Sequence, residues 1–221
     1  MKKQFYSKIF LFLFCASLTI SVNAQHPFKI YHDVPFIPQP NDVFCWSTSI
    51  AMILWWKQNE KEQACSQESL TPTQVAMYHD WWSYWFPKGL DVTDQQPFQQ
   101  WKFTTLAPQS LTLDGFRDIL EQSPIWIAYD GCTNPLVACG HAVVIVGATS
   151  DGTEEGTTVY IHDPDDGSGV YPNKGVRDNK MKYTEFVDRQ ASRAIRIIDQ
   201  DRAANGGVQK HQINFMAYLP N

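Results

Sequence analysis

A cysteine at the start of a helical segment is the first residue of this sequence that could do chemistry. Residues 34–42 contain three prolines, which exclude a helix there. The apolar positions after Cys45 follow helical spacing as far as residue 58, and Asn41 or Asp42 is suited to cap that helix. Cys45 then lies in the first turn, where the positive end of the helix dipole favours a thiolate. This position predicts a nucleophilic cysteine rather than a structural one.

A histidine and an aspartate stand at the far ends of two successive predicted strands. His141 precedes an uninterrupted β-branched run, and Asp163 closes the next strand. A turn signal around Gly152 joins the two strands as a hairpin. If the hairpin is centred on Gly152, His141 and Asp163 face each other, and the carboxylate would fix the tautomer of the ring. His162 alternates to the opposite face, so we expect it to be structural or on the surface.

Gln39 supplies a fourth group, upstream of Cys45. Its side-chain amide and the backbone N–H of Cys45 can converge on one point, which is what an oxyanion hole for acyl transfer requires. The chain therefore contains, in order, an oxyanion donor, a thiol, a base and an orienting carboxylate. These are the parts of an activated nucleophile, and the candidate catalytic residues are Cys45, His141, Asp163 and Gln39.

The set resembles the papain-like cysteine peptidases, most of all the bacterial branch of compact bacteriocin-leader peptidases and effector-type peptidases. The resemblance covers about residues 33–165 and rests on four segments: Val34-Pro-Phe-Ile-Pro-Gln39, Cys45-Trp46, Gly140-His141-Ala-Val-Val-Ile-Val-Gly and Val159-Tyr-Ile-His-Asp163-Pro164. It implies a cysteine-type peptidase in which Cys45 attacks and His141 is the base. By the same resemblance, Asp163 orients His141 and Gln39 helps to form the oxyanion hole.

Two other functions stay open at this stage. The papain-like family also includes acyl transferases, amidases and deamidases, which use the same machinery. A catalytically inactive, secreted binding module is the second alternative, and it would hold Cys45 in a disulfide bond. No transporter domain accompanies the motifs, so the leader-processing role of the bacteriocin branch is not expected.

The expected fold class is α+β, with a helical half that carries the nucleophile packed on an antiparallel half that carries His141 and Asp163. The catalytic site would lie in the cleft between the halves. The sequence patterns predict helices over 45–58, 71–82, 112–122 and 184–190, and strands over 125–130, 142–149, 157–163, 193–198 and 211–219.

The N-terminal segment has the form of a secretory signal peptide. Three lysines lie among the first eight residues, an apolar run covers residues 9–20, and Ala24 provides a small residue at the cleavage point. We therefore divide the chain into a signal peptide, 1–24, and one papain-like peptidase domain, 25–221. The expected location is secreted or periplasmic, without membrane attachment after cleavage.

Composition limits the partners of this domain. The chain has 221 residues, of which 43% are hydrophobic, and a formal net charge of −5. These values allow a packed core and argue against nucleic-acid binding through a basic face. The expected partner is a peptide or protein substrate, and a cognate inhibitor or immunity protein is possible for an exported bacterial peptidase.

The remaining acidic residues and cysteines do not predict a metal or a cofactor. The acidic loop that begins at Asp163 lacks the twelfth-position acid of an EF-hand, and Cys132, Cys139 and His141 fit no common zinc spacing. In an oxidising compartment Cys132 and Cys139 could form a disulfide bond, or either could pair with Cys65. The sequence leaves this pairing open.

Overall fold

A computed structural model describes seven segments of the chain: residues 26–60, 70–79, 96–106, 111–130, 140–171, 174–187 and 215–220. The signal-peptide prediction, the strand predicted over 193–198, and Cys65, Cys132 and Cys139 lie outside the described residues. None of the helices in the seven segments combines the length and the apolar character needed to cross a membrane.

In the described part of the chain, seven strands form one sheet: β1 (Phe28–Tyr31), β2 (Thr104–Leu106), β3 (Ile125–Asp130), β4 (Gly140–Ser150), β5 (Thr158–Asp163), β6 (Val176–Lys182) and β7 (Phe215–Tyr218). Their order is β2-β7-β3-β4-β5-β6, with β1 beside β4. Every pairing is antiparallel. Strand β4, whose second residue is His141, is therefore a central strand between β3 and β5.

The described segments also contain four helices: α1 (Cys45–Glu60), α2 (Pro72–His79), α3 (Gln96–Gln100) and α4 (Leu113–Leu120). Residues 183–187 form a further helical turn. Helix α2 begins with a reciprocal capping box, in which Thr71 N donates to the Gln74 side chain (2.8 Å) and Gln74 N donates to the Thr71 hydroxyl (3.2 Å). The Thr112 hydroxyl caps α4 by accepting from Gly115 N (3.2 Å).

Alternate residues of the central strands enter two different cores, one on each face of the sheet. The core on the α1 side contains Trp126, Ala128, Ala142, Val144 and Val146. The core on the α4 side contains Ile125, Ile127, Val143 and Ile145. Because both faces are covered, β4 is an uninterrupted apolar run rather than an alternating one.

The predicted α+β class and most predicted elements are confirmed. Helix α1 begins at Cys45 as predicted, and β3 has the predicted bounds. The elements that the sequence analysis did not predict are β1, α3, β2 and β6. Strand β6 lies at the sheet edge and is mostly exposed and polar, so it carries no alternation of apolar and polar residues that would reveal a strand.

Candidate active site

Cys45 is the first residue of α1 and is a buried thiol, only 7% exposed. The side chain of Asn41 accepts from Val43 N (3.1 Å) and so closes a turn two residues before the helix, rather than capping the helix itself. Phe44 O is the first acceptor of the helix, from Thr48 N (2.9 Å). The sulfur therefore lies in the first turn, where the dipole and the backbone N–H groups favour negative charge.

His141 and Asp163 contact each other, but not in the predicted register. A hairpin centred on Gly152 would pair Val144 with Tyr160, whereas the structure pairs Val144 with His162. The register prediction was wrong because side chains close a longer turn: Asp151 Oδ1 accepts from Thr153 N, and Thr153 Oγ1 accepts from Gly156 N (2.9 Å each). A bulge between Ile145 and Gly147 then moves the register back by one residue toward the predicted one.

The shifted register still brings the two side chains together. If this register is continued by one residue, Asp163 lies opposite Val143. The side chain of Val143 is on the same face of β4 as that of His141. His141 and Asp163 are thus diagonal neighbours, close enough for long side chains to meet. His141 Nε2 donates to Asp163 Oδ1 at 2.7 Å, and each side chain is 17% exposed.

The second contact of this group joins His141 to Cys45. A side-chain hydrogen bond links them, and because Nε2 faces Asp163, we assign Nδ1 to the sulfur. Burial alone would lower the pKa of His141, but the hydrogen bonds and negative charges of Asp163 and Cys45 outweigh burial and raise that pKa to about 10. The ring is therefore an imidazolium at neutral pH, and it lies between the side chains of Cys45 and Asp163.

A buried hydroxyl connects α1, which begins with Cys45, to β4, which carries His141. Ser49 lies one turn after Cys45 and donates to Ala142 O (3.2 Å), beside His141. Trp126 on β3 makes a second bridge by donating from Nε1 to the carbonyl of Trp46 (3.2 Å). The helix start is thus tied to two neighbouring strands.

Gln39 is placed beside this group by its backbone. The segment from Val34 to Pro40 is not helical, as its prolines predict, and Gln39 N donates to Pro164 O (3.0 Å), immediately after Asp163. Gln39 is only 1% exposed. Its amide nitrogen donates to the hydroxyl of Tyr171 (3.3 Å), and its Oε1 has no hydrogen-bond partner among the described residues.

The comparison with known families agrees with this geometry. The family model described as papain-like cysteine protease AvrRpt2 matches residues 28–174, a span that contains all four candidate residues. The chain belongs to the AvrRpt2 family of papain-like cysteine proteases. A search of curated proteins found no match.

Family membership makes the chain a cysteine-type peptidase with a papain-like α+β fold. A helix that begins with a buried cysteine, packed on an antiparallel sheet that carries a histidine–aspartate pair, is consistent with that fold. The predicted membership of the effector-type, papain-like branch is confirmed. Peptides or proteins are therefore its substrates.

His162 of this AvrRpt2-family protease is structural, and it is buried rather than on the surface. Its side chain is fully buried, its Nε2 donates to Val34 O (3.2 Å), and its Nδ1 accepts from Asp178 N (3.3 Å). The β5–β6 ladder is bulged at this residue because the ring, rather than a backbone carbonyl, accepts from Asp178. His162 thus connects the segment from Val34 to Pro40, which contains Gln39, to β5, which ends in Asp163.

Tyr171 is the site residue that the sequence analysis of this protease missed. It follows the four segments that carry the resemblance, and only the structure places its hydroxyl against Gln39. A weak signal was present, since a glycine-rich loop begins at Asp163 and ends in an aromatic residue with a polar group.

The described part of the protease contains no cluster of three or more His, Cys, Asp or Glu side chains arranged to hold a metal ion. Asp163, Asp165 and Asp166 instead accept hydrogen bonds from loop backbone N–H groups, each at 2.9 Å. The loop that the sequence analysis compared with a calcium site is therefore shaped by its own carboxylates.

Proposed function

We propose that this protein is an exported peptidase that cleaves peptide bonds through Cys45, His141 and Asp163, with Gln39 as oxyanion donor. The observation that supports this most strongly is the continuous hydrogen-bonded series from Cys45 through His141 to Asp163. Nucleophile, base and orienting group are in the order that an activated thiol requires.

The resting site is an ion pair in this mechanism. Because the pKa of His141 is raised to about 10, the ring holds the proton that the Cys45 thiol gives up. The sulfur then attacks the carbonyl carbon of the substrate, and the carbonyl oxygen becomes negatively charged. One N–H of Gln39 and the backbone N–H of Cys45 donate to that oxygen.

Collapse of the intermediate breaks the peptide bond. His141 donates its proton to the leaving nitrogen, the amine departs, and a thioester remains on Cys45. His141 next takes a proton from water, whose oxygen attacks the thioester. The acid product leaves, and the thiolate–imidazolium pair is restored. Asp163 holds Nε2 throughout, so that the opposite ring nitrogen keeps facing the reaction.

Export is the second part of the proposal. The basic start, the apolar run over 9–20 and Ala24 support cleavage after residue 24 and a mature protein that begins at Gln25. An exported peptidase would meet its substrate in the periplasm or outside the cell, and a cognate inhibitor or immunity protein would protect the producing bacterium. Intact-mass measurement of the exported protein tests the cleavage point, and a retained N-terminus would refute it.

Unbiased cleavage profiling on a proteome-derived peptide library tests the catalytic proposal. Wild type should cleave peptides and react with an epoxysuccinyl probe, and Cys45→Ala should do neither. Thr48→Ala is the matched control on the same helix, because the buried Thr48 hydroxyl has no hydrogen-bond partner within the described segments. Equal cleavage by Cys45→Ala would refute the nucleophile.

Product mass in the same experiment separates peptide cleavage from the other reactions of papain-like sites. Loss of ammonia from glutamine side chains would identify a deamidase, and addition of an acyl group to an amine would identify a transferase. Either result would replace peptide-bond hydrolysis while leaving Cys45, His141 and Asp163 in the same roles.

A further inference from the structure

The side-chain amide of Gln39 is buried with one described polar contact. Its Nε2 donates to the Tyr171 hydroxyl at 3.3 Å, whereas its Oε1 has no hydrogen-bond partner among the residues that the structure describes. A buried amide held by one hydrogen bond depends on that bond for its orientation. Among the described residues, Tyr171 is therefore the group that determines the orientation of the Gln39 amide.

Tyr171 reaches Gln39 from a loop that begins at the orienting carboxylate. Asp163 Oδ1 accepts from Asp165 N (2.9 Å), and Gly167 and Gly169 have left-handed φ values of 72° and 67°. The loop turns at these residues, and Tyr171 at its end reaches Gln39. The same loop therefore contacts Gln39 twice: the Tyr171 hydroxyl accepts from the side-chain amide, and Pro164 O accepts from Gln39 N.

We propose that Tyr171 is a positioning residue for the oxyanion donor, and that it acts by holding the Gln39 amide with its nitrogen toward Cys45. This inference rests on the proposed function. A primary amide nitrogen has two N–H groups. One donates to the Tyr171 hydroxyl, and the other serves the oxyanion. Without the hydroxyl, the amide could rotate and turn its oxygen toward the negative charge.

The charges around Tyr171 suit this role. Burial, followed by the negative charge of Asp165, raises the pKa of Tyr171, and these effects outweigh the hydrogen bond from Gln39, which lowers that pKa. The phenol therefore remains neutral at neutral pH. A neutral hydroxyl oxygen can accept from Gln39 without adding negative charge to the site.

The test compares Tyr171→Phe, Gln39→Ala and the double variant on a peptide amide substrate. Tyr171→Phe should lower kcat about 10-fold to 100-fold, a smaller loss than removal of an oxyanion donor causes, with KM changed less than about threefold. In the Gln39→Ala background the same change should have almost no further effect, because the residue acts through Gln39.

Alkylation of Cys45 by iodoacetamide provides the second readout. This reaction needs the thiolate but forms no oxyanion, so Tyr171→Phe should react at the wild-type rate, which also shows that the variant is folded. Tyr160→Phe is the matched control, since its hydroxyl bonds to Thr149 on the sheet (3.3 Å). That control should leave kcat unchanged.

Three results would overturn the inference for an active wild type: unchanged kcat in Tyr171→Phe, an equal additional loss in the Gln39→Ala background, or a parallel loss of alkylation rate. Each means that Tyr171 does not act through the oxyanion donor. A wild type that neither cleaves peptides nor alkylates would instead refute the proposed function, and this inference with it.

Discussion

The negative charge of Asp163 should control the pH at which activity is lost on the alkaline side. In the proposed mechanism His141 must be protonated to donate to the leaving nitrogen, and its pKa of about 10 places the basic limb of kcat/KM near that pH in the wild type. Asp163→Asn removes the charge but keeps the size of the side chain. Burial of the ring lowers the pKa of His141, and without the charge of Asp163 less remains to oppose this effect.

The size of the change follows from the short contact. Nε2 and Oδ1 are 2.7 Å apart, and the charge centres of the two groups are about 4 Å apart. Two unit charges at about 4 Å interact by about 4 kcal/mol at an effective dielectric constant of about 20, equivalent to about 3 pH units. Because both side chains are 17% exposed, solvent reduces this value, and we expect a shift of about 1 to 3 units. The basic limb of Asp163→Asn should therefore lie between about pH 7 and pH 9.

The assay is kcat/KM between pH 5 and pH 11, with circular dichroism at each pH to confirm folding. Asp118→Asn is the matched control, because Asp118 is exposed on α4 and pairs with Arg117 (3.0 Å) away from the site. At pH 7 the Asp163 variant should also lose about 10²-fold to 10⁴-fold in rate. If its basic limb stays within half a pH unit of wild type, the charge of Asp163 does not set the pKa of His141.

Three further changes test how the site is supported. Ser49→Ala should cost about 1 kcal/mol in urea unfolding and lower kcat, because the bridge from α1 to the histidine strand is lost; unchanged kcat would argue against that bridge. Gly175→Ala should cost about 2–4 kcal/mol in the same assay, since φ is 61° and a Cβ would lie 2.8 Å from Asp163 O; Gly167→Ala, with open space around it, should cost only about 1–2 kcal/mol. Burial lowers the pKa of His162 in the folded protein, so His162 is protonated at a higher pH in the unfolded chain than in the folded one. Stability should therefore fall as the pH drops below about 6.5. In thermal unfolding, His162→Asn should lose part of this pH dependence.

The parts of the site that the sequence predicted are those fixed by local pattern. Helix spacing and the proline segment placed Cys45 at a helix start, and strand patterns placed His141 and Asp163 at strand ends. The chemical types of the residues then indicated an activated thiol. Each of these inferences needs only periodicity or turn preference within one segment.

The parts that the sequence did not predict depend on contacts between segments. The hairpin register depends on hydroxyl and carboxylate bonds inside the turn, such as that from Ser150 to Thr157 (2.6 Å), which no periodicity shows. The role of His162 depends on a carbonyl 128 positions away and on the bulge opposite Asp178. Tyr171 depends on how a glycine-rich loop folds back, which the φ values of its glycines decide only in the folded chain.

The backbone bond from Gln39 to Pro164 makes two functions of the site mechanically dependent on each other. Gln39 carries the candidate oxyanion donor, and Pro164 adjoins the carboxylate that holds the imidazolium. Any force that pulls the segment from Val34 to Pro40 outward would therefore displace the Gln39 amide and the Asp163 carboxylate together. Partial loosening by heat, denaturant or a bound inhibitor should therefore weaken acyl transfer and thiolate formation in proportion. We do not expect an intermediate state in which the sulfur of Cys45 still ionises but acylation no longer occurs.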